Sequence, residues 1–314
     1  MANELTIVMY HYVRQLEKTR YPNIKGRRTS EFKYQVDYFK NTFYPVTIEE
    51  VLHSIRSGDS LPPKAILLTF DDGYLDHYLN VFPILFDAGI QGSFFPPAAT
   101  AKRGELLDVN RLHFILAVAE PSILASEIDL AVSEYSEQYN LSSLSFYHSQ
   151  WAKPSRFDIS ETMYVKNMLQ HVLPEELRAK IAHDMFLKHV SVDEASFASE
   201  LYANIDQFRV MQKSGMYVGS HGDSHYWLNT LDVDRQRKEI ASSVEFLKEV
   251  GSPVDQYWAI CYPYGAWNDN LLAVLAEFKC SLGLTTQVAK ADLDEYDYLL
   301  LPRLDTNDFP VNKI

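Results

Sequence analysis

Two adjacent carboxylates and two histidines four residues apart are the groups in this chain best placed to do chemistry. Thr69-Phe70-Asp71-Asp72-Gly73-Tyr74 closes the apolar run Ala65-Ile66-Leu67-Leu68, whose composition is that of a strand buried on both faces. Side chains alternate along a strand, but at its frayed C-terminal end both carboxylates can turn into one cleft. Like charges so close raise one pKa strongly unless a cation sits between them. Gly73 permits a sharp turn or a close backbone approach. These residue types allow one carboxylate on a metal and the other free as a base. A strand end followed by an Asp-Gly turn is the plain alternative.

A second stretch narrows the choice. Met216-Tyr217-Val218-Gly219-Ser220 reads as another short buried strand, and it runs into His221-Gly222-Asp223-Ser224-His225. Histidines four apart share one face of a helical turn, so both imidazoles can reach one ion. With Asp72 they make two nitrogens and one oxygen, a set that leaves a position open for water. A HxxxH pair alone is a weak pattern; with a strand-end Asp-Asp it is far more specific.

Together with Tyr262-Pro263-Tyr264-Gly265, these stretches resemble the motifs of the polysaccharide deacetylases, the carbohydrate esterase family that shares the NodB-homology domain. The resemblance covers roughly residues 5–100 and 214–305. It implies Asp71 as general base and Asp72, His221 and His225 as ligands of a divalent ion. It also implies that the backbone N–H of Tyr264 helps hold an oxyanion, and that Tyr74, Tyr262 and Tyr264 contact the sugar. Zinc suits such a ligand set, and cobalt, nickel and iron bind it too. The activity implied is hydrolysis of N-acetyl groups on an N-acetylated sugar, polymeric or activated. Removal of a formyl or O-acetyl group, or a catalytically silent carbohydrate-binding homologue, are the competing readings.

Two departures from the family pattern generate further expectations. The family usually has an arginine two residues before the proline of its third motif, where this chain has Cys261. Arg303, in Leu301-Pro302-Arg303-Leu304, follows the last expected strand and could reach Asp71 from across the barrel mouth. The family also places its general-acid histidine in a C-terminal Leu-x-His, and no histidine follows His225 here. Met9-Tyr10-His11 has the same form at the end of the first strand. In a closed barrel the first and last strands are neighbours, so His11 becomes the expected acid. That arrangement resembles the circularly permuted branch, to which the biofilm poly-N-acetylglucosamine deacetylases belong.

The elements that must position these groups read as strands near residues 5–10, 64–70, 92–95, 216–220, 258–262, 281–285 and 298–301, with helices between most of them. Alternation of this kind argues for a parallel barrel, and each motif falls at a strand's C-terminal end, where barrel active sites lie. The expected fold is therefore α/β, a distorted (β/α)7 barrel of the NodB-homology type. The barrel takes residues 1–102 and 214–314, and residues 103–213 carry helical periodicity and read as an insertion at its rim. Ser30 and Thr47 are expected helix caps, and Leu75, Leu79 and Phe82 fall in helical register. A basic loop, Arg14 to Arg28, either meets an anionic part of a substrate or is simply solvated.

Composition excludes some partners. Formal net charge is -13 over 314 residues, which argues against nucleic acid. Two cysteines make no disulfide framework. No run approaches transmembrane length, and the start lacks a basic lead-in, so a cytoplasmic location is the expectation. Oligomeric state is not legible.

Overall fold

A computed structural model describes residues 3–155 and 158–312. The chain forms two compact units, one of Met1–Gln15, Gly26–Glu105 and Ala198–Ile314, the other of Leu16–Lys25 and Leu106–Phe197. The units thus divide at different residues from the 103–213 insertion. Helix Ile205–Lys213 packs with the first unit, and residues 16–25 go with the second.

The first unit is built on seven short parallel strands. They are β1 (Glu4–Tyr10), β2 (Ala65–Asp71), β3 (Gly92–Phe95), β4 (Tyr217–Val218), β5 (Ala259–Cys261), β6 (Leu282–Leu284) and β7 (Leu304–Asp305). β1 pairs with β2 from Leu5↔Ala65 to Tyr10↔Phe70, β2 with β3 from Leu68↔Gly92, and β3 with β4 from Ser93↔Tyr217. A single bridge, Ser220↔Ile260, carries the ladder to β5, which pairs with β6 from Ala259↔Leu282. A second bridge, Leu284↔Leu301, and the pairing Val8↔Leu304 return it to β1. The ring therefore closes, as a distorted seven-stranded α/β barrel. Every residue of β2 is buried, as its unbroken apolar run requires.

Helices fill the crossovers. Helix Ile48–Ser57 begins with the Thr47 capping box, in which Thr47 accepts from the Glu50 N–H and Glu50 reaches back. Helix Val233–Val250 starts at an Asp232 cap and ends at left-handed Gly251. Three expectations are corrected here. Helix Thr29–Thr42 is capped at Arg28 rather than Ser30. Between Leu75 and Phe86 the chain takes a π turn at His77–Val81 before helix Phe82–Ala88. The extra residue in that turn rotates the register, so His77 and Val81 are buried while Leu79 is exposed. The last strand is Leu304–Asp305, not 298–301, because that stretch meets β6 only through isolated contacts, the Leu284↔Leu301 bridge and the Gly283 N–H on the Tyr298 carbonyl, and forms no ladder.

The second unit is helical, with Asp108–Val118, Pro121–Glu134 and Glu175–His189 as its longest elements. Leu112 and Ile115 are buried in it, and Val118 is exposed. The cations of the 14–28 loop are largely satisfied within their own units. Arg14 pairs with Asp76 at 2.6 Å, Lys25 with Asp158, and Arg27 and Arg28 with Glu31. Among the described residues no helix is long and apolar enough to cross a membrane.

Candidate metal and catalytic centre

β2 delivers Asp71 and Asp72 to the C-terminal mouth of the barrel, both almost wholly buried. Asp72 has φ 73° and Gly73 φ 71°, so the chain reverses within two residues. A Cβ on Gly73 would lie 2.5 Å from the Pro96 Cβ, which reserves this position for glycine. Six non-glycine residues among those described have positive φ, and three of them are Asp72, His225 and Tyr264. Left-handed backbone at such residues costs on the order of 1–3 kcal/mol each and collects at functional sites. The remaining three, Lys64, Asn140 and Lys279, lie outside this centre.

Asp72, His221 and His225 converge. One ligand atom from each lies within 4.8 Å of the others, and Asp72 Oδ1 is 3.4 Å from Nε2 of both histidines. That oxygen is buried and accepts no hydrogen bond among the described residues. Its partner Oδ2 accepts the Tyr74 hydroxyl at 2.5 Å. His221 Nδ1 lies 2.7 Å from the Cys261 carbonyl. A carbonyl only accepts, so Nδ1 carries the proton and Nε2 keeps its lone pair, as in carbonyl-oriented metal ligands. Donor atoms around a tetrahedral ion with bonds of ~2.0–2.2 Å stand roughly 3.3–3.6 Å apart. An undonated carboxylate oxygen at that spacing from two imidazole nitrogens fits a divalent cation.

Asp71 faces a different partner. Arg303, 1% exposed, places Nη2 2.8 Å from Asp71 Oδ2 and donates from Nη1 to Oδ1 at 3.0 Å. The guanidinium is fixed from behind, where Nε donates to the Thr285 carbonyl at 2.9 Å and Nη1 also reaches the Thr69 hydroxyl at 3.1 Å. Cys261 sits against it, Sγ 3.2 Å from Nη1. Burial pushes the Asp71 carboxyl up, and Arg303, aided by His221, outweighs it, leaving Asp71 below the usual carboxylate range. The arginine absent at position 261 is thus matched by one that arrives from further along the chain, at position 303.

His11, half-buried just after β1, lies close enough for its charge to bear on Asp71, Asp72 and His225, yet it is outside the three-ligand cluster. Its carbonyl accepts from His77 Nε2 at 2.9 Å. Burial holds the His77 pKa down to about 4, in keeping with a neutral structural residue. Tyr264, in the turn Pro263–Gly265, packs its ring 4.7 Å from His225 and stacks on Trp227 at 4.4 Å and 6°.

Two substrate contacts expected from the sequence are corrected. Tyr74 is fully buried, stacked on Tyr12, and serves Asp72. Tyr262 is fully buried, with its hydroxyl on the Leu299 carbonyl at 2.9 Å. Sequence reasoning missed Trp227, two residues past the histidine pair, and Glu239. The Glu239 carboxylate accepts the N–H groups of Asp223 and Ser224 at 2.9 and 3.0 Å, holding the loop between the histidines.

The barrel's strand ends thus gather a buried carboxylate and two imidazoles that could hold a metal ion, beside a second carboxylate held by an arginine. Residues 180–282 match the family model of the polysaccharide deacetylases, a span that includes His221, His225 and Tyr264. Over 82 residues the chain is 40% identical to a poly-beta-1,6-N-acetyl-D-glucosamine N-deacetylase of Escherichia coli strain K12. That match covers 26% of this chain and 11% of the relative's length. In fold it is similar to the Streptococcus pyogenes deacetylase PplD, with a TM-score of 0.60, 17% identity, and coverage of 97% of this chain and 93% of that one. It is also similar to IcaB from Ammonifex degensii, with a TM-score of 0.55, 19% identity, and coverage of 96% and 91%. Over residues 180–282 the chain thus resembles the polysaccharide deacetylases, and in fold it resembles solved deacetylase structures.

Proposed function

We propose that this chain is a metal-dependent N-deacetylase of an N-acetylated aminosugar, releasing acetate and leaving a free amine. The observation that carries the reading is the pairing, in one buried mouth, of the Asp72–His221–His225 cluster with an Asp71 kept ionised by Arg303. Asp72, His221 and His225 would hold a divalent ion, which supplies a Lewis acid that makes water acidic near neutral pH and polarises the acetamide carbonyl. Zinc is the first choice, with cobalt, nickel and iron compatible with the same donors.

The remaining steps belong to the protein's own side chains. Asp71 accepts the proton of the attacking water, a role that needs its carboxylate ionised at working pH. The Tyr264 N–H, presented by a left-handed turn, donates to the oxygen on which negative charge develops. An amide anion is a very poor leaving group, so the departing nitrogen must be protonated. His11, just past β1 and near enough for its charge to bear on Asp71, gives that proton, since an imidazole can be charged near neutral pH and release its proton. The permuted family arrangement accounts for His11, because β1 lies beside β7. The Trp227–Tyr264 stack offers a flat apolar face next to His225 for the sugar or its acetyl methyl. The relatives' names suggest a poly-N-acetylglucosamine as the first substrate to try.

A silent homologue would be expected to lack a ligand or the base, and all four are present here. The test is acetate release from N-acetylglucosamine oligosaccharides by metal-loaded protein, with and without chelator. No release from any N-acetylated glycan by protein carrying one ion per chain would overturn the reading.

A further inference from the structure

Beside the metal and catalytic centre, the turn after β5 and the loop after β6 enclose a cavity of about 290 Å³. Its lining includes Trp267, Tyr296, Glu295, Asp297, Thr285 and Gln287, and no basic side chain. The indole of Trp267 is 37% exposed, large for so costly a ring. Neither Glu295 nor Asp297 has an ion-pair partner among the described residues. Asp297 is held in place, its Oδ1 accepting the Leu299 N–H at 2.8 Å.

The cavity and the catalytic centre share walls. The Thr285 carbonyl accepts Arg303 Nε and the Gln287 carbonyl accepts the Arg303 N–H, both at 2.9 Å. Gly265, also in the lining, directly follows Tyr264. A ligand spanning both places would therefore be one extended molecule. The volume lies near the lower end of the ~300–1,000 Å³ found for small-molecule pockets, which suits one sugar ring. Two aromatic rings with two free carboxylates and no competing cation are the groups that select an ammonium, by cation–π attraction and charge pairing.

We propose that this cavity is a subsite for an aminosugar unit that already bears a free ammonium, next in the chain to the unit being deacetylated. This rests on the deacetylase reading above. The product of one turnover then carries the group that this subsite binds, so the protein favours chains it has already begun to modify.

The experiment compares KM for a fully acetylated N-acetylglucosamine tetramer and for the same tetramer with one unit deacetylated. Wild type should show a KM about two- to tenfold lower for the partly deacetylated chain, the range expected of two partly exposed charge contacts. Added salt should erode the preference. In the double variant Glu295→Gln/Asp297→Asn the ratio of the two KM values should fall to one, a readout that partial unfolding does not move. In parallel, a fully deacetylated glucosamine tetramer is titrated calorimetrically into wild type and double variant, a measurement that needs no turnover. Binding by wild type that the double variant loses supports the subsite. Equal KM values in wild type, or tetramer binding unchanged in the double variant, would overturn it. Absence of acetate release from every substrate, with tetramer binding intact, would instead remove the deacetylase reading.

Discussion

Replacing Arg303 by methionine leaves Asp71 buried without its counter-charge, and the consequences can be worked from the contacts. The guanidinium makes two approaches to Asp71, at 2.8 and 3.0 Å, with both side chains at most 2% exposed. Removing one partner of such a pair costs about 3–5 kcal/mol. For a chain of this size that corresponds to a fall of about 6–20 °C in the barrel's melting temperature. In the wild type the Asp71 carboxyl titrates below its unfolded value of about 3.9. Its ionisation therefore stabilises the fold above that pH, and the contribution is lost as pH falls through the lower folded value. In Arg303→Met burial acts unopposed and the folded value rises above the unfolded one. The penalty is then full above that raised value and vanishes below about pH 4. Thermal melts of both proteins at pH 7 and pH 4.5, followed by tryptophan fluorescence, should show a large gap that narrows on acidification. The acid limb of the variant's kcat/KM profile should also move upward, since its base is protonated at higher pH. Arg303→Met/Asp71→Asn, which removes both partners, should recover much of the stability and none of the activity. A single variant that melts within about 2 °C of wild type, equally at both pH values, would refute the buried-pair argument.

Other outcomes follow from the same geometry. His11→Ala should retain the metal and lose turnover by about 10²–10⁴-fold, the scale of a general acid; near-normal turnover would require another proton donor. Tyr74→Phe strips the hydroxyl from Asp72 Oδ2. It should weaken metal retention about 10–100-fold in chelator competition, whereas unchanged retention would mean that Tyr74 is only a core residue.

The centre was legible in the sequence where its signal is local. Asp71-Asp72 and the His221/His225 pair each follow a short apolar run, so strand-end placement could be read from a few residues. Arg303 was reachable only through an absence at position 261, because the pair spans 232 residues of sequence. The Tyr74 and Tyr262 readings failed because motif membership does not say which way a ring points. Tyr74 turns inward because the reversal at Asp72-Gly73 carries its hydroxyl back to the Asp72 carboxylate. Leu79 was misplaced because a π turn is invisible to a 3.6-residue period. The closing strand was assigned to 298–301 on composition, while the pairing that closes the barrel is made by Leu304–Asp305.

The central claim is that two neighbouring carboxylates have separate duties, Asp72 on the ion and Asp71 on the proton. Metal stoichiometry and acetate release, measured side by side on Asp71→Asn and Asp72→Ala, test it most directly. Asp71→Asn should hold one ion per chain and release no acetate, and Asp72→Ala should lose both the ion and the activity. Asp71→Asn turning over at near wild-type rate, or Asp72→Ala retaining a full equivalent of metal, would contradict the account.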